Sequence, residues 1–178
     1  MRTCILVIIA VFAAGCARGR GEALETYTSQ RHGFTVQRPA GWHLVETDDG
    51  RRAWFLPAPV PPGQTPETSA TEFVVVMTRP EAGPLPESEV RRLAMSLLAM
   101  HGVSGFQRTP ASTDAEAWYR FELTGSTRGA EWASLGLLVT GPRRIVYLVC
   151  ASPLATWRER QKVCEEIIRS FAPGDLAR

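Results

Sequence analysis

The sequence predicts one α+β domain in which helical layers cover a mostly antiparallel sheet. Three observations predict this class. Short strand-like runs separated by turn residues follow one another along most of the chain. Residues 73–77 and 145–150 are apolar on both faces, which is typical of strands inside a sheet that is covered on both sides. Two further segments carry apolar residues at helical spacing, and they supply that cover.

Two hairpins open the predicted domain. The strands of the first cover residues 27–31 and 34–38, and those of the second cover residues 42–47 and 52–56. An Asp-Gly pair at residues 49–50 connects the second pair of strands, and this dipeptide is favoured in the type I′ turn that suits the twist of a hairpin. We therefore expect a tight antiparallel turn at that point.

A proline-rich segment, residues 57–70, follows the two hairpins. Its five prolines lack the N–H group that a strand donates to its neighbour. We expect a mobile surface connector here, and a docking site for a partner protein is the alternative.

The two predicted helices span residues 87–101 and 154–171. Gly102 ends the first helix, whereas Ser152 as N-cap and Pro153 in the first turn begin the second. Predicted strands lie between the helices, near residues 105–110, 115–124 and 132–140, and a Gly-Pro turn at residues 141–142 leads into the last strand.

Several short motifs resemble the family of PsbP-like domains. They are Gly-Phe at residues 33–34, Pro-Ala-Gly-Trp at 39–42, Val-Tyr-Leu-Val-Cys-Ala-Ser at 146–152, a helix bearing Trp157, and Ile-Ile-Arg-Ser-Phe at 167–171. The resemblance covers residues 26–172 and implies an α/β/α sandwich with a central, mostly antiparallel sheet and two main helices. The family includes a photosystem II extrinsic protein, bacterial envelope lipoproteins and a Ran-binding nuclear-transport factor. Because these relatives share no chemistry, the resemblance implies a fold and carries over no metal or partner residue.

The first residues of the chain are typical of a secretory signal peptide. Arg2 is followed by an apolar run of about ten residues and then by Ala13-Ala-Gly-Cys16. This end resembles the lipobox of bacterial lipoproteins, in which a diacylglyceryl group is attached to the cysteine thiol and the chain is cut just before it. A permanent membrane span is not expected, because a helix needs roughly 20 apolar residues to cross a bilayer. Ala13 stands where the lipobox most often has Leu, so ordinary cleavage after Ala17 and release of a soluble exported protein is the alternative.

The predicted organisation has four parts. Residues 1–15 form the removed lipoprotein signal peptide, 16–25 a polar lipidated tether, 26–172 a single globular domain and 173–178 a tail. More than one acyl chain, such as palmitate, on Cys16 would hold the protein on a membrane almost permanently. Ala17, rather than Asp, after that cysteine resembles the signal for the outer membrane. We expect an exported protein, lipid-anchored in the bacterial envelope and facing the periplasm.

The cysteines leave one question open. Cys4 lies in the signal peptide and Cys16 is the predicted lipidation site, so Cys150 and Cys164 remain in an oxidising compartment that favours a disulfide. A helix starting at residue 154 would carry Cys164 about 16 Å along its axis, whereas a disulfide needs Cα atoms within about 7 Å. Both a disulfide and two buried free thiols are therefore possible.

Composition and charge argue against a nucleic-acid partner. The chain has 19 Arg and one Lys, but its net charge is only +2 and the two signs are interspersed. This pattern is typical of a solvated surface rather than of a basic nucleic-acid footprint.

No residue pattern indicates a catalytic, cofactor or metal site. The string at residues 102–106, Gly-Val-Ser-Gly-Phe, has the wrong spacing for a nucleophile elbow. The histidines, His32, His43 and His101, do not cluster in the sequence. We expect no enzymatic activity and no cofactor.

Trp118 and Arg120 form the candidate interaction surface, because both side chains share one face of a strand and both residue types are favoured interface anchors. Cover by a helix is the alternative for Trp118.

The predicted function is binding or complex assembly, with the membrane as one partner through Cys16 and an envelope protein as the other. The alternatives are a small-ligand binder with a pocket between sheet and helix, or a hydrolase whose site forms only on folding.

Overall fold

The computed structural model describes residues 22–80, 85–96, 102–113, 116–127 and 129–174. The strands are β1 (Leu24–Ser29), β2 (Phe34–Pro39), β3 (His43–Thr47), β4 (Arg52–Leu56), β5 (Phe73–Pro80), β6 (Gly102–Arg108), β7 (Ala117–Thr127), β8 (Ala130–Thr140), β9 (Arg144–Pro153) and β10 (Ala172–Pro173). The helices are α1 (Pro66–Ser69), α2 (Glu87–Ser96) and α3 (Trp157–Ser170). The predicted α+β class is confirmed. In these ranges no helix is long and apolar enough to span a bilayer.

The larger sheet has seven strands in the order β3-β4-β5-β9-β8-β7-β6, and every neighbouring pair is antiparallel. The two strands predicted to be covered on both faces, β5 and β9, are neighbours in the middle of this sheet. Their pairing runs in continuous register from Phe73 opposite Ala151 to Pro80 opposite Arg144.

The two faces of the larger sheet support two separate cores. Along β5, Phe73, Val75 and Met77 point towards α2, whereas Val74 and Val76 point towards α3. Val74, Val75 and Val76 are completely buried, as strands between two layers require. The side of α3 that faces the sheet consists of Cys164, Ile167 and Ile168, followed by Phe171.

The sequence did not predict the second sheet. β1, β2 and β10 form a separate sheet of three strands, with β2 in the middle. It lies on the α3 side, where Phe34 and Val36 join the same core as Ile167. The cover of this face is therefore a helix and a small sheet together, and the domain reaches beyond the predicted limits of residues 26 and 172 at both ends.

Tyr27 connects the small sheet to the edge of the large one. Its hydroxyl donates a 2.6 Å hydrogen bond to Glu46 Oε1 on β3. Burial and then this bond to a carboxylate raise the pKa of Tyr27 to about 12, since both favour the neutral phenol.

The second main helix begins later than expected. Ser152 and Pro153, predicted to open it, are the last residues of β9, and Pro153 is paired with Trp132 of β8. Thr156 stands at the N-cap instead. The capping prediction was wrong because the strand ladder with β8 continues through the residues that resemble a helix start.

The proline-rich segment contains regular structure that the sequence did not predict. It contains α1, its residue Pro66 is buried, and Val60 and Ala70 pack against the core on the α2 side. The first predicted helix is confirmed as α2 through Ser96, and its remaining residues, 97–101, lie outside the described part of the chain.

The turn expected at residues 49–50 is present. Arg51 N donates to Asp48 O over 3.1 Å, and Asp49 and Gly50 between them have φ of 57° and 78°. Positive φ at both central residues is what a type I′ turn requires.

Gly136 provides a test of the packing between β7 and β8. It pairs with Phe121, whose ring lies so close that a Cβ at residue 136 would be 2.2 Å from two ring carbons. We expect Gly136→Ala to lower the free energy of unfolding by about 1–3 kcal/mol, because the completely buried ring cannot move aside. Urea denaturation monitored by circular dichroism measures this loss.

A double variant checks the cause of that loss. Phe121→Leu alone should also destabilise, but combined with Gly136→Ala the two losses should be less than additive because the smaller side chain leaves room for the new methyl group. Fully additive losses would contradict this account.

Candidate functional site

Arg160 forms a group of polar contacts on the α3 side of the described structure. It lies in the first turn of α3, where its Nη1 donates to Glu22 Oε2 and its Nη2 donates to Glu72 Oε1 at 2.6 Å. The Glu72 side chain is 15% exposed and that of Arg160 is 30% exposed. A half-buried guanidinium with two carboxylates is a charge-assisted pairing that holds its partners more firmly than an exposed salt bridge.

We call this group of three residues the Arg160 junction. It joins three distant parts of the chain: the residue two positions before β1, the residue just before β5, and the first turn of α3. The guanidinium also lies 5.8 Å from the centre of the Trp42 ring, within the range of a cation–π contact. The junction therefore fixes where the N-terminal segment meets the domain.

Below the junction, a recess extends toward the sheet between Trp42, Val74 and Ile167. Its volume is about 10 Å³, which is about the space of one water molecule. This part of the interface between sheet and helix therefore has no room for a small ligand of the kind considered as an alternative function.

Cys150 and Cys164 line that same recess and are joined as a disulfide. Their Cα atoms are 5.5 Å apart, well within the limit for such a bond. The predicted separation of about 16 Å was wrong because β9 continues past Cys150 to Pro153 and α3 begins only at Trp157, so the first two turns of the helix bring Cys164 back to the level of Cys150. The bond connects α3 to the central strand β9.

Sequence reasoning missed the Arg160 junction. Glu22 was assigned to the polar tether, and Arg160 was one of 19 arginines. Only folding brings Glu22 and Glu72 to Arg160, since they are 138 and 88 residues away in the sequence. An arginine at the edge of the apolar stripe of a helix was the available signal, but it does not name its partners.

An open cleft of about 790 Å³ lies beside the junction. Charges of both signs surround it, since Glu159 and Glu166 on α3 stand near Lys162 and Arg160. A second open cleft, of about 610 Å³, lies at the other end of the large sheet next to Arg51 and Arg79. Both are surface clefts that mix acidic and basic side chains.

The predicted interaction surface lies against the second half of α3. The Trp118 ring makes an edge contact with Phe171 at 6.2 Å between centres, and its Nε1 donates to Glu116 at 3.4 Å. Arg120 forms a 3.7 Å ion pair with Glu165 of α3. Trp118 is half-buried and packs against the core that contains α3. The alternative that a helix covers this side chain therefore agrees with much of its position. Its role in recognition stays a prediction.

The remaining candidate groups are dispersed. His32 lies in the turn after β1, with Nε2 3.3 Å from Asp49 O, and His43 begins the edge strand β3, whereas His101 lies outside the described residues. Ser104 is inside β6, not on a strand-to-helix turn. Within the described ranges, no three His, Cys, Asp or Glu side chains are grouped so as to hold a metal ion.

The disulfide gives a stability prediction. We expect the Cys150→Ala/Cys164→Ala double variant to lose about 3 kcal/mol of unfolding free energy, because the bond closes a loop over a sequence separation of 14 residues. When the disulfide of the unsubstituted protein is reduced, the free energy of unfolding should fall by the same amount. Equal stability of the oxidised and reduced protein would contradict this contribution.

The Arg160 junction gives a second prediction. Arg160→Met keeps the length of the side chain but leaves Glu72 without its cation, and we expect a loss of about 1–2 kcal/mol by urea denaturation. The control is Arg158→Met, an exposed arginine on the same helix, which should change stability by no more than about 0.5 kcal/mol. Equal losses of unfolding free energy in the two variants would show that the junction does not stabilise the domain.

Comparison with known proteins identifies the fold. No family model and no curated protein matches the sequence. Among solved structures, cyanobacterial PsbP (CyanoP) from Synechocystis sp. PCC 6803 superposes with a TM-score of 0.62 at 14% identity, over 88% of this chain and 95% of that one.

Two further structures are similar. LpqN from Mycobacterium tuberculosis has a TM-score of 0.52 at 13% identity, over 88% of this chain and 94% of its own. A point mutant of the protein Mog1 has a TM-score of 0.51 at 13% identity, over 87% and 98% of the two chains. Likeness at this level of identity concerns the fold, and the chain therefore has the PsbP-like fold that the sequence motifs implied.

Proposed function

We propose that this chain is an exported, lipid-anchored protein of the bacterial cell envelope that acts by binding another protein or by assisting the assembly of a complex, without catalysing a reaction. The observation that carries the proposal is the Ala13-Ala-Gly-Cys16 motif directly after a short apolar run. Only five residues separate Cys16 from Glu22, whose carboxylate pairs with Arg160.

The fold comparisons support a role in binding or assembly. LpqN is described as involved in cell envelope biogenesis, and CyanoP is a cyanobacterial PsbP. Within the described residues, the recess under the Arg160 junction is too small for a substrate, and no three His, Cys, Asp or Glu side chains are grouped so as to hold a metal ion. A shared fold does not by itself imply a shared activity. These points therefore support a binding role, and the crosslinking experiment below identifies the binding partner.

The membrane that holds the anchor and the compartment that contains the domain are part of the same proposal. Ala17 follows the predicted lipidated cysteine, and this favours sorting to the outer membrane with the domain in the periplasm. That compartment is oxidising, and the disulfide between Cys150 and Cys164 is the kind of bond that persists there.

Replacement of Cys16 tests the anchor. In a bacterial host that processes lipoproteins, the native protein should sediment with the membranes and incorporate labelled palmitate, whereas Cys16→Ser should incorporate none and leave the membrane fraction. Cys4→Ser is the matched control, because this cysteine lies in the predicted signal peptide and its loss should change neither result. A Cys16→Ser protein that still carried palmitate would contradict the anchor.

The same strains test the binding role. A C-terminal tag allows crosslinking in living cells and identification of captured proteins by mass spectrometry. We expect one dominant envelope protein with the native chain, and its loss with Cys16→Ser. Equal capture of many unrelated proteins by both forms would contradict a specific assembly role.

A further inference from the structure

We propose that one particular end of the domain lies against the lipid headgroups, an inference that rests on the proposed lipid anchor at Cys16. This proximal end comprises the Arg160 junction, the first turn of α3 and Leu154 just before it. The opposite, distal end contains the turn at residues 48–51. The proposed occupant of the proximal surface is the headgroup layer of the bilayer that holds the anchor.

The length of the connecting chain limits how far the proximal end can be from the membrane. Residues 17–21 lie between Cys16 and Glu22, and a fully extended chain covers at most about 3.5 Å per residue. The Cα of Glu22 therefore stays within about 20 Å of the lipidated cysteine.

The attachment point on the domain is fixed rather than free to swing. Glu22 is held by Arg160 of α3, and the next residue, Ala23, accepts a 2.8 Å hydrogen bond from Ala40 N. Arg160 is in turn held by Glu72 at 2.6 Å. Because these contacts belong to three separate elements, the tether leaves the domain from one defined place.

The surface around that place suits the headgroup region. Leu154 is 45% exposed, and it lies three residues before the start of α3. Arg158 and Lys162 are exposed and one helical turn apart, so both can reach lipid phosphates while their aliphatic stems stay near apolar surface. Glu159 and Glu166 on the same helix balance these two charges, so the orientation follows from the position of the tether, and the lipid anchor supplies the affinity.

The strands separate the two ends. β5 begins beside Glu72 at the proximal end and reaches Thr78, whose N–H donates to Arg51 O in the distal turn over 2.7 Å. At about 3.3 Å per residue, the six steps from residue 72 to residue 78 correspond to about 20 Å. Asp49 in the distal turn is exposed and far enough from Leu154 for the two positions to be distinguished by energy transfer.

The experiment uses the full-length lipidated protein in vesicles of phosphatidylethanolamine and phosphatidylglycerol that contain a headgroup-linked acceptor dye. A fluorescent amino acid is incorporated at Leu154 in one variant and at Asp49 in the other, since both side chains are exposed. We expect severalfold more efficient energy transfer to the headgroups from residue 154 than from residue 49. In the Arg160→Met background this difference should shrink, because the tether is then released from α3.

Flotation separates the two possible failures. If both variants float with the vesicles and transfer from residue 49 equals or exceeds that from residue 154, the proposed orientation is overturned while the anchor stands. If neither variant floats with the vesicles, the lipid anchor itself is contradicted, and the orientation with it.

Discussion

The antiparallel pairing of β5 with β9 is the constraint on which the rest of the domain depends. Both strands are apolar on both faces, so the sheet they form cannot leave either face in water. One face is covered by α2 and the proline-rich segment, and the other by α3 and the three-stranded sheet. Even the disulfide follows this arrangement, since it joins the helical layer to the strand at the middle of the sheet.

Local patterns were sufficient for most of the elements. The continuous apolar runs identified β5 and β9, and turn residues identified the hairpin from β3 to β4. The sheet of three strands escaped prediction because β10 has only two residues and pairs with a strand more than 130 residues earlier. The start of α3 was misplaced because the ladder with β8 competes with the helix for Ser152 and Pro153, and the tertiary pairing prevails over local propensity.

The candidate site was harder to predict because its residues are brought together by tertiary pairing and not by local sequence. The expected export of the chain made Cys150 and Cys164 candidates for a disulfide, but the distance between them depended on where the helix begins. The Arg160 junction has no local signature, since its carboxylates come from the N-terminal segment and from the start of β5. Charged residues that meet only through the topology of the sheet look like ordinary solvated surface in the sequence.

The arrangement of β1 has a mechanical consequence. A pull on the chain at Glu22 acts along the axis of β1, whose six residues pair with β2 from Leu24 opposite Pro39 to Ser29 opposite Phe34. The hydrogen bonds of such a pair are perpendicular to the strands, so they share the force and must break together. A pull at the other terminus meets the two paired residues of β10 and then the buried end of α3, and beyond them the covalent bond at Cys164 passes the force to β9. The domain therefore resists tension in shear at its N-terminal end, and at its C-terminal end it can unravel only as far as the disulfide.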